Sequence, residues 1–264
     1  MAVTEDLTVW LVTVSSASIS LLIFGVVFGG AVAGMFLRAA LPQEHLRNES
    51  RDVMKMGVGL IATMSALILG LLVASAKGNY DAQSAALTQL SANIILVDRA
   101  LALYGPETKE AREALRQVVI LVLDGTWAKG SAGPYDLDPR SARAEIVYDK
   151  IQTLSPRDES ERLLKSEALS MAKDLGHIRW LMYAQGASTV SKPMLIVMVF
   201  WLTIVFLSWG LMAPPNTTII VTLLVSALSV SGAIFLILEM YSPYQGWIRV
   251  SDAPLRAALA HLGH

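Results

Sequence analysis

The sequence predicts an all-α integral membrane protein, with four transmembrane helices in two hairpins and a helical extramembrane region between them. Two observations predict this class. The chain of 264 residues is 54% hydrophobic and only 16% charged, whereas soluble domains carry roughly 25% charged residues. Four apolar runs also reach the length of about 20 helical residues that a bilayer requires. These runs are Leu7–Leu37, Val53–Ala76, Pro193–Ala213 and Thr217–Met240.

Composition and motifs argue against several functional classes. A formal net charge of −1 gives no reason to expect a nucleic-acid partner. The chain has no cysteine, so disulfides, thiolate metal sites and cysteine nucleophiles are excluded. The four histidines have no metal-ligand spacing, and the sequence contains neither a phosphate-binding glycine loop nor a G-x-S-x-G elbow. We therefore expect no enzyme activity, no cofactor and no metal site.

The first apolar run is expected to remain in the protein as a span. Glu5 and Asp6 precede it where a signal peptide carries basic residues, and the run exceeds the roughly 7–15 apolar residues of a signal peptide. Within it, Gly25-x-x-x-Gly29 and Gly30-x-x-x-Gly34 match the small-residue spacing that lets helix backbones approach closely in lipid.

The second apolar run carries small residues at helical spacing, which we call the small-residue stripe. The stripe consists of Gly59, Thr63, Ala66, Gly70 and Ala74. Two interpretations stay open: tight packing against another helix, or the wall of a pore lined by small and hydroxyl side chains. Another face of the same helix carries the bulky residues Leu60, Met64, Leu67 and Leu71.

The polar middle of the chain, from Lys77 to Lys192, is predicted to be helical and exposed to water. It contains fifteen basic and fifteen acidic residues. Two heptad seams run through it. The first comprises Leu87, Leu90, Ile94, Val97, Leu101 and Tyr104, and the second Leu164, Ala168, Met171, Leu175, Ile178 and Met182. Such seams bury against helices of the same chain or of another, and we expect these two to hold subunits together.

No strong helix breaker separates the second span from the first seam, so one helix is expected from about residue 53 to 103, about 75 Å long. The late helix should likewise run into the third span, with Pro193 as a kink or restart. These elements predict four parts: a first hairpin at 1–76, the helical region at 77–192, a second hairpin at 193–240 and an interfacial tail at 241–264.

The fourth span carries a hydroxyl stripe of Thr222, Ser226 and Ser229. These side chains could bond to their own helix or a neighbouring one, or line a solvated path. Glu239 lies in the last turn, where a carboxylate opposes the helix dipole. It is interpreted either as an interfacial anchor or ion pair, or as one member of a charge ring at the mouth of a pore.

The segment after the fourth span has the features of a membrane interface. Pro243 and Gly246 end the helix, and Tyr244 and Trp247, with Tyr241, are typical of an aromatic belt. Arg249 follows at once and adds a positive charge. Orientation is less sharply determined, because the basic residues of the first loop are nearly balanced by those on the opposite side. Their local density favours a cytoplasmic first loop.

Four stretches of the sequence resemble the bacterial membrane family of unknown function labelled bestrophin-like. These are "LPQEHL", "GVGLIATMSALILGLLVASAKGNYD", "LTQLSANIILVDRALALYGPETKEAREALR" and "ALSVSGAIFLILEMYSPYQGWIRVSDAPLRAAL". The strongest parts are the second span and the element formed by Pro243, Tyr244 and Gly246. The label implies a distant likeness to bestrophins, which are homopentameric anion channels with four membrane helices and a helical cytosolic region.

The resemblance implies a homo-oligomer, pentameric by analogy, in the bacterial inner membrane, with membrane lipid and small ions as its other partners. It also implies a cytoplasmic place for residues 77–192, against the charge count of the first loop. Bestrophins carry bulky apolar residues at the pore neck on their second membrane helix, whereas one face of the second span of this chain carries small residues. The bestrophin calcium clasp has no counterpart in this sequence. The leading hypothesis is a channel-like protein whose second span lines the central axis. The alternative is a non-conducting scaffold or sensor whose helical region binds a protein partner.

Overall fold

The computed structural model describes residues 15–41, 48–127, 143–186, 190–214, 216–244 and 246–263. Every regular element within these ranges is helical. The helices are α1 Ser16–Ala40, α2 Asn48–Tyr104, a short 3-10 turn Pro106–Thr108, α3 Lys109–Trp127, α4 Arg143–Gln152, α5 Glu159–Gly186, α6 Lys192–Met212, α7 Thr217–Met240 and α8 Ala253–His261.

Four of these helices are long and apolar enough to cross a membrane, namely α1, α2, α6 and α7. This confirms the predicted all-α class and the four candidate spans. The first span begins at Ser16, while Leu7–Val14 lies outside the described residues. The third begins at Lys192 with Pro193 in its first turn, where the missing N–H of proline costs nothing. Pro193 is therefore a restart, since α5 has already ended at Gly186.

Polar side chains fix the starts of several helices. Ser15 accepts a hydrogen bond from the Ser18 amide at the start of α1, and Asn216 accepts one from the Ile219 amide at the start of α7. At the start of α5, Asp158 accepts from the Glu161 amide, at 2.7 Å. Each of these bonds satisfies one of the amides that a helix N-terminus leaves without an intrahelical partner.

The chain divides into two compact units. The first consists of residues 1–77 and 189–240, and the second of residues 78–188 and 241–264. Helix α2 contributes its beginning to the first unit and its end to the second. It continues through Gly78 without a break, as the sequence predicts.

In the first unit, α1 packs against α6 and α7. Glycines bring α1 and α6 into backbone contact: a Cβ atom added at Gly34 would overlap the carbonyl of Leu207, and one added at Gly210 would overlap the carbonyl of Ala31. Gly30 faces Thr203 in the same way: a Cβ atom added at Gly30 would lie 3.1 Å from the backbone oxygen of Thr203. Of the predicted small-residue pairs, Gly30 and Gly34 therefore make the close approach.

The core of the second unit is built from the predicted heptad seams. All six residues of the first seam are buried, and five of them, from Leu87 to Leu101, form one apolar cluster with residues of α3, α4, α5 and α8. From the second seam, Ala168, Ile178 and Met182 are in this cluster, with Met171 and Leu175 packed against it. For the first seam, the expectation that it holds subunits together is wrong, because helices of the same chain already cover its side chains. In the second seam, Leu164, Met171 and Leu175 are only half-buried, so the expectation stays a prediction there.

The turn after α2 determines how α3 folds back in the second unit. Gly105 has a φ of +137°, a conformation that side chains with a Cβ disfavour. Thr108 then donates to the carbonyl of Leu101 at 2.7 Å. Asp98 is 4% exposed and accepts two hydrogen bonds from Arg112, at 2.7 and 2.9 Å. The bidentate geometry of this ion pair fixes the register of α2 against α3.

Candidate functional site

The small-residue stripe lies on the surface of α2. All five of its members are exposed, and the hydroxyl of Thr63 donates to the carbonyl of Gly59 at 2.9 Å. A Cβ atom added at Gly59 or Gly70 would meet no described atom of the chain within 4 Å. In this chain the stripe therefore packs against none of the described helices, and its two interpretations both require something outside the chain.

The bulky residues of α2 are exposed as well, and they form what we call the bulky face. Leu60, Met64, Leu67 and Leu71 are 45–70% exposed. A third face is buried at Val58, Ser65 and Leu72. At 3.6 residues per turn, the bulky face and the small-residue stripe each lie roughly 130–140° from this buried face, on opposite sides of it, and about a quarter of a turn from each other. The span thus presents two different surfaces outwards.

The hydroxyl stripe of α7 mostly serves its own helix. Thr222 donates to the carbonyl of Thr218 at 2.9 Å, and Ser229 donates to that of Val225 at 2.8 Å. Ser226 is half-buried on the same helix. Hydroxyls with these bonds retain an acceptor lone pair for water, so the solvated path stays a prediction.

A hydroxyl outside the predicted stripe connects two helices. Ser231 is 5% exposed and donates to the carbonyl of Ser20 on α1. No sequence signal distinguishes Ser231, because only the fold shows which face of this apolar span is buried. Ala227 and Ile234 lie four residues before and three residues after it, and both are fully buried. These spacings place the three side chains on one helix face.

Glu239 is 4% exposed in the last turn of α7. In this chain its carboxylate is therefore withdrawn from the surface, unlike a side chain that projects freely into a channel mouth. Both interpretations, an interfacial anchor or ion pair and a charge ring in an oligomer, stay predictions.

The segment that follows α7 is fixed by a polar network in the second unit. Tyr244 is 4% exposed and donates to the side-chain oxygen of Gln83 at 2.8 Å, and the amide of Gln83 donates to the carbonyl of Met182 at 3.2 Å. The Trp127 ring lies edge-on to Tyr244 and its N–H donates to the carbonyl of Val250 at 2.9 Å. Burial raises the pKa of the Tyr244 phenol above its usual range.

The five residues expected at the membrane interface therefore differ from one another in their surroundings and exposure. Tyr244 departs from the expected aromatic belt because its ring is part of a buried network. Pro243 accepts a hydrogen bond from the Val250 amide at 2.8 Å, and Gly246 has a φ of +79°, so these two shape the turn. Arg249 donates to the carbonyl of Gly246. Trp247 is 88% exposed, as an interfacial tryptophan would be.

Comparison with protein families decides the affiliation. The family described as Bestrophin-like domain matches residues 25–255, from the middle of α1 to the first turn of α8. This chain belongs to the Bestrophin-like family. Comparisons with curated proteins and with solved structures found no match. The match confirms the resemblance read from the four quoted stretches, and it includes every candidate residue of this Bestrophin-like chain named above. Family and helices together indicate a multi-pass membrane protein.

Proposed function

We propose that this Bestrophin-like protein is a homo-oligomeric channel for small ions in the bacterial inner membrane. The observation that carries the proposal is the outward face of α2, where a stripe with two glycines is exposed along the whole apolar segment. Small side chains gain nothing from contact with lipid tails, but they favour close approach of another backbone. A second copy of the chain is the simplest source of that backbone.

The three faces of α2 suggest how it would sit in a ring. The buried face belongs to the chain's own first unit. The two outward faces lie about a quarter of a turn apart, so in a ring one can point to the central axis while the other meets a neighbouring copy. We assign the bulky face to the axis, where it would form an apolar constriction of the kind that gates by dewetting. The small-residue stripe would then meet α2 of the neighbouring copy, because small side chains favour close approach of another backbone. Of its two interpretations, this assignment adopts helix packing.

The experiment is ion flux through liposomes that contain the purified protein, together with the subunit count in lipid nanodiscs. We expect a ring of at least three copies, five by analogy with bestrophins, and flux of anions, cations or both. A monomer or dimer that gives no flux at any pH or calcium concentration would contradict the proposal.

A pair of matched variants tests the role of the bulky face. Leu67 on α2 and Leu21 on α1 are both 70% exposed. A Leu67→Ser change would make a dewetted constriction polar, so we expect flux to rise several-fold. Leu21→Ser introduces the same hydroxyl on another helix and should leave flux unchanged. Equal effects of the two variants on flux would contradict the placement of the bulky face at the central axis.

A second candidate function is favoured by the end of α2 in the second unit. Leu96 and Leu103 are 50% and 69% exposed and lie one heptad apart on one side of the helix. We infer that this surface would bind a protein partner if the chain is a non-conducting scaffold or sensor. A double Leu96→Asp, Leu103→Asp variant distinguishes the cases. Loss of the ring assigns the surface to copies of this chain, whereas an intact ring in the variant, together with a wild type that gives no flux, favours the scaffold.

A further inference from the structure

The second unit contains a cavity that the channel proposal does not use. Its volume is about 440 Å³, within the roughly 300–1,000 Å³ typical of small-molecule sites. Helices α2, α3, α4, α5 and α8 all contribute to its wall. We refer to it as the α4–α5 cavity, because those two helices supply the charged groups among the described residues that line it.

The floor of the α4–α5 cavity is apolar. Leu90, Ile94, Leu115, Val119 and Leu255 line it, and each of these residues is at most 5% exposed. They belong to the apolar core of the second unit. An apolar wall of this kind favours the hydrocarbon part of a ligand, because burial of apolar area is worth about 25 cal/mol per Å².

The charged groups of the cavity differ in depth. Arg179 on α5 is 8% exposed, whereas Glu145 and Asp149 on α4 are less buried and lie at the mouth. These two acids are four residues apart, so their side chains are neighbours on one helix face. Tyr148 and the half-exposed ring of Trp180 complete the wall. Within the part of the chain that the structure describes, the lining thus offers one deep positive charge and a pair of outer negative charges.

We propose that the α4–α5 cavity binds an apolar α-amino acid or a molecule of the same zwitterionic type. The ligand carboxylate would lie toward Arg179, whose guanidinium has five N–H donors and can hold a carboxylate besides its protein contacts. The ammonium group would lie toward Glu145 and Asp149, next to the Trp180 ring, and the side chain would occupy the apolar floor. A purely anionic ligand would face the two acids, and a purely cationic one would face the buried arginine.

Calorimetric titration of the full chain in lipid nanodiscs tests this assignment with three probes that share one ring. L-Phenylalanine carries both charges, 3-phenylpropionate lacks the ammonium group, and 2-phenylethylamine lacks the carboxylate. We expect saturable binding of L-phenylalanine, with each analogue at least about tenfold weaker. 2-Phenylethylamine would place its positive charge in the cavity without a carboxylate for the buried Arg179, and 3-phenylpropionate would face the two acids without an ammonium group between them. No saturable binding of L-phenylalanine or L-leucine at millimolar concentration overturns the proposal, as does equal affinity for the three probes.

Variants locate the binding in the cavity. A Cβ atom added at Gly176 meets no described atom within 4 Å, so Gly176→Leu should fold while its side chain fills the cavity and abolishes binding. The double Glu145→Gln, Asp149→Asn variant should weaken L-phenylalanine by about fivefold, because exposed ion pairs are individually weak. The same double variant should not weaken the binding of 3-phenylpropionate.

The matched control is Glu167→Gln, which removes an exposed acid of α5 outside the cavity and should change nothing. Unchanged affinity in Gly176→Leu would place binding elsewhere and overturn the proposal. Binding is measured without ion flux, so this result is independent of whether the protein conducts.

Discussion

Two groups of glycines in the first unit obey the same spacing rule and end in opposite surroundings. Gly30 and Gly34 of α1 face α6 so closely that a single added carbon atom would overlap backbone at Gly34. Gly59 and Gly70 of α2 have open space around them. Both groups lie on candidate membrane spans. The difference is that one group has its partner within the chain and the other does not.

This contrast teaches that a small-residue pattern specifies the closeness of a contact and not the identity of its partner. Between α1 and α6 the close contact packs two helices of one polypeptide against each other. Lipid tails cannot take the place of either helix, because they do not pack as closely against a backbone. Along α2 the same pattern would contribute no close helix contact if it faced only lipid. It is explained most simply by a partner that a single chain lacks.

The largest expected effect comes from closing the space between α1 and α6. Gly34→Leu would drive a side chain into the carbonyl of Leu207, so we expect a loss of more than about 3 kcal/mol of folding free energy, because overpacking against backbone cannot relax. Thermal unfolding of the purified protein measures it. Gly25→Leu, placed in open space on the same helix, is the control and should unfold at nearly the wild-type temperature.

The same substitution on α2 should separate assembly from folding. A Cβ atom added at Gly70 meets no described atom of its own chain within 4 Å, so we expect the Gly70→Leu subunit to fold with nearly wild-type stability. If α2 packs on a second copy, the added side chain should shift the oligomer toward monomers, as native mass spectrometry in nanodiscs would show. An unchanged subunit count would mean that the small-residue stripe contacts lipid or lines a water path instead.

A smaller effect is expected where a polar contact closes within the chain. Tyr244→Phe would leave the buried oxygen of Gln83 without its phenol donor, a loss of about 1–3 kcal/mol. Burial raises the pKa of Tyr244, so above about pH 10 the unfolded phenol ionises while the folded one keeps its proton. That part of the stability is therefore present below about pH 10 and is lost as the pH rises further.

Chemical unfolding at neutral and alkaline pH measures this prediction. The wild type should lose more stability than Tyr244→Phe between about pH 9 and 11, a range centred on the pKa of an unperturbed tyrosine. Tyr80→Phe, which removes a phenol bonded to the carbonyl of Arg249 at 3.1 Å, is the control and should keep the alkaline loss. Equal alkaline losses in the wild type and in Tyr244→Phe would contradict the assigned burial effect.

Helix positions could be predicted from the sequence because they depend on local signals. Apolar length gave the four candidate spans, the lack of a breaker gave the unbroken α2, and Pro193 marked the start of α6. Each of these signals acts over a few turns of one helix. They need no knowledge of which other helix lies alongside.

Partners were harder to predict because they depend on distant parts of the chain. The seam from Leu87 to Tyr104 has the spacing of a subunit interface, yet α3, α5 and α8 bury it within the chain. Tyr244 was interpreted as an interfacial aromatic, and only the fold brings it to Gln83, 161 residues away. Ser231 is a further case, since only the fold shows which face of its apolar helix is buried.

The side chain of Arg38 has a consequence for topology mapping. This residue is one of the positive charges by which membrane orientation is commonly judged, yet its guanidinium donates to the carbonyl of Met212 at 2.7 Å, at the end of α6. A reporter fused directly after the first span would be made without α6, and Arg38 would then have no such carbonyl to bind. Truncated fusions should therefore be less faithful to the native orientation than reporters inserted into the complete chain.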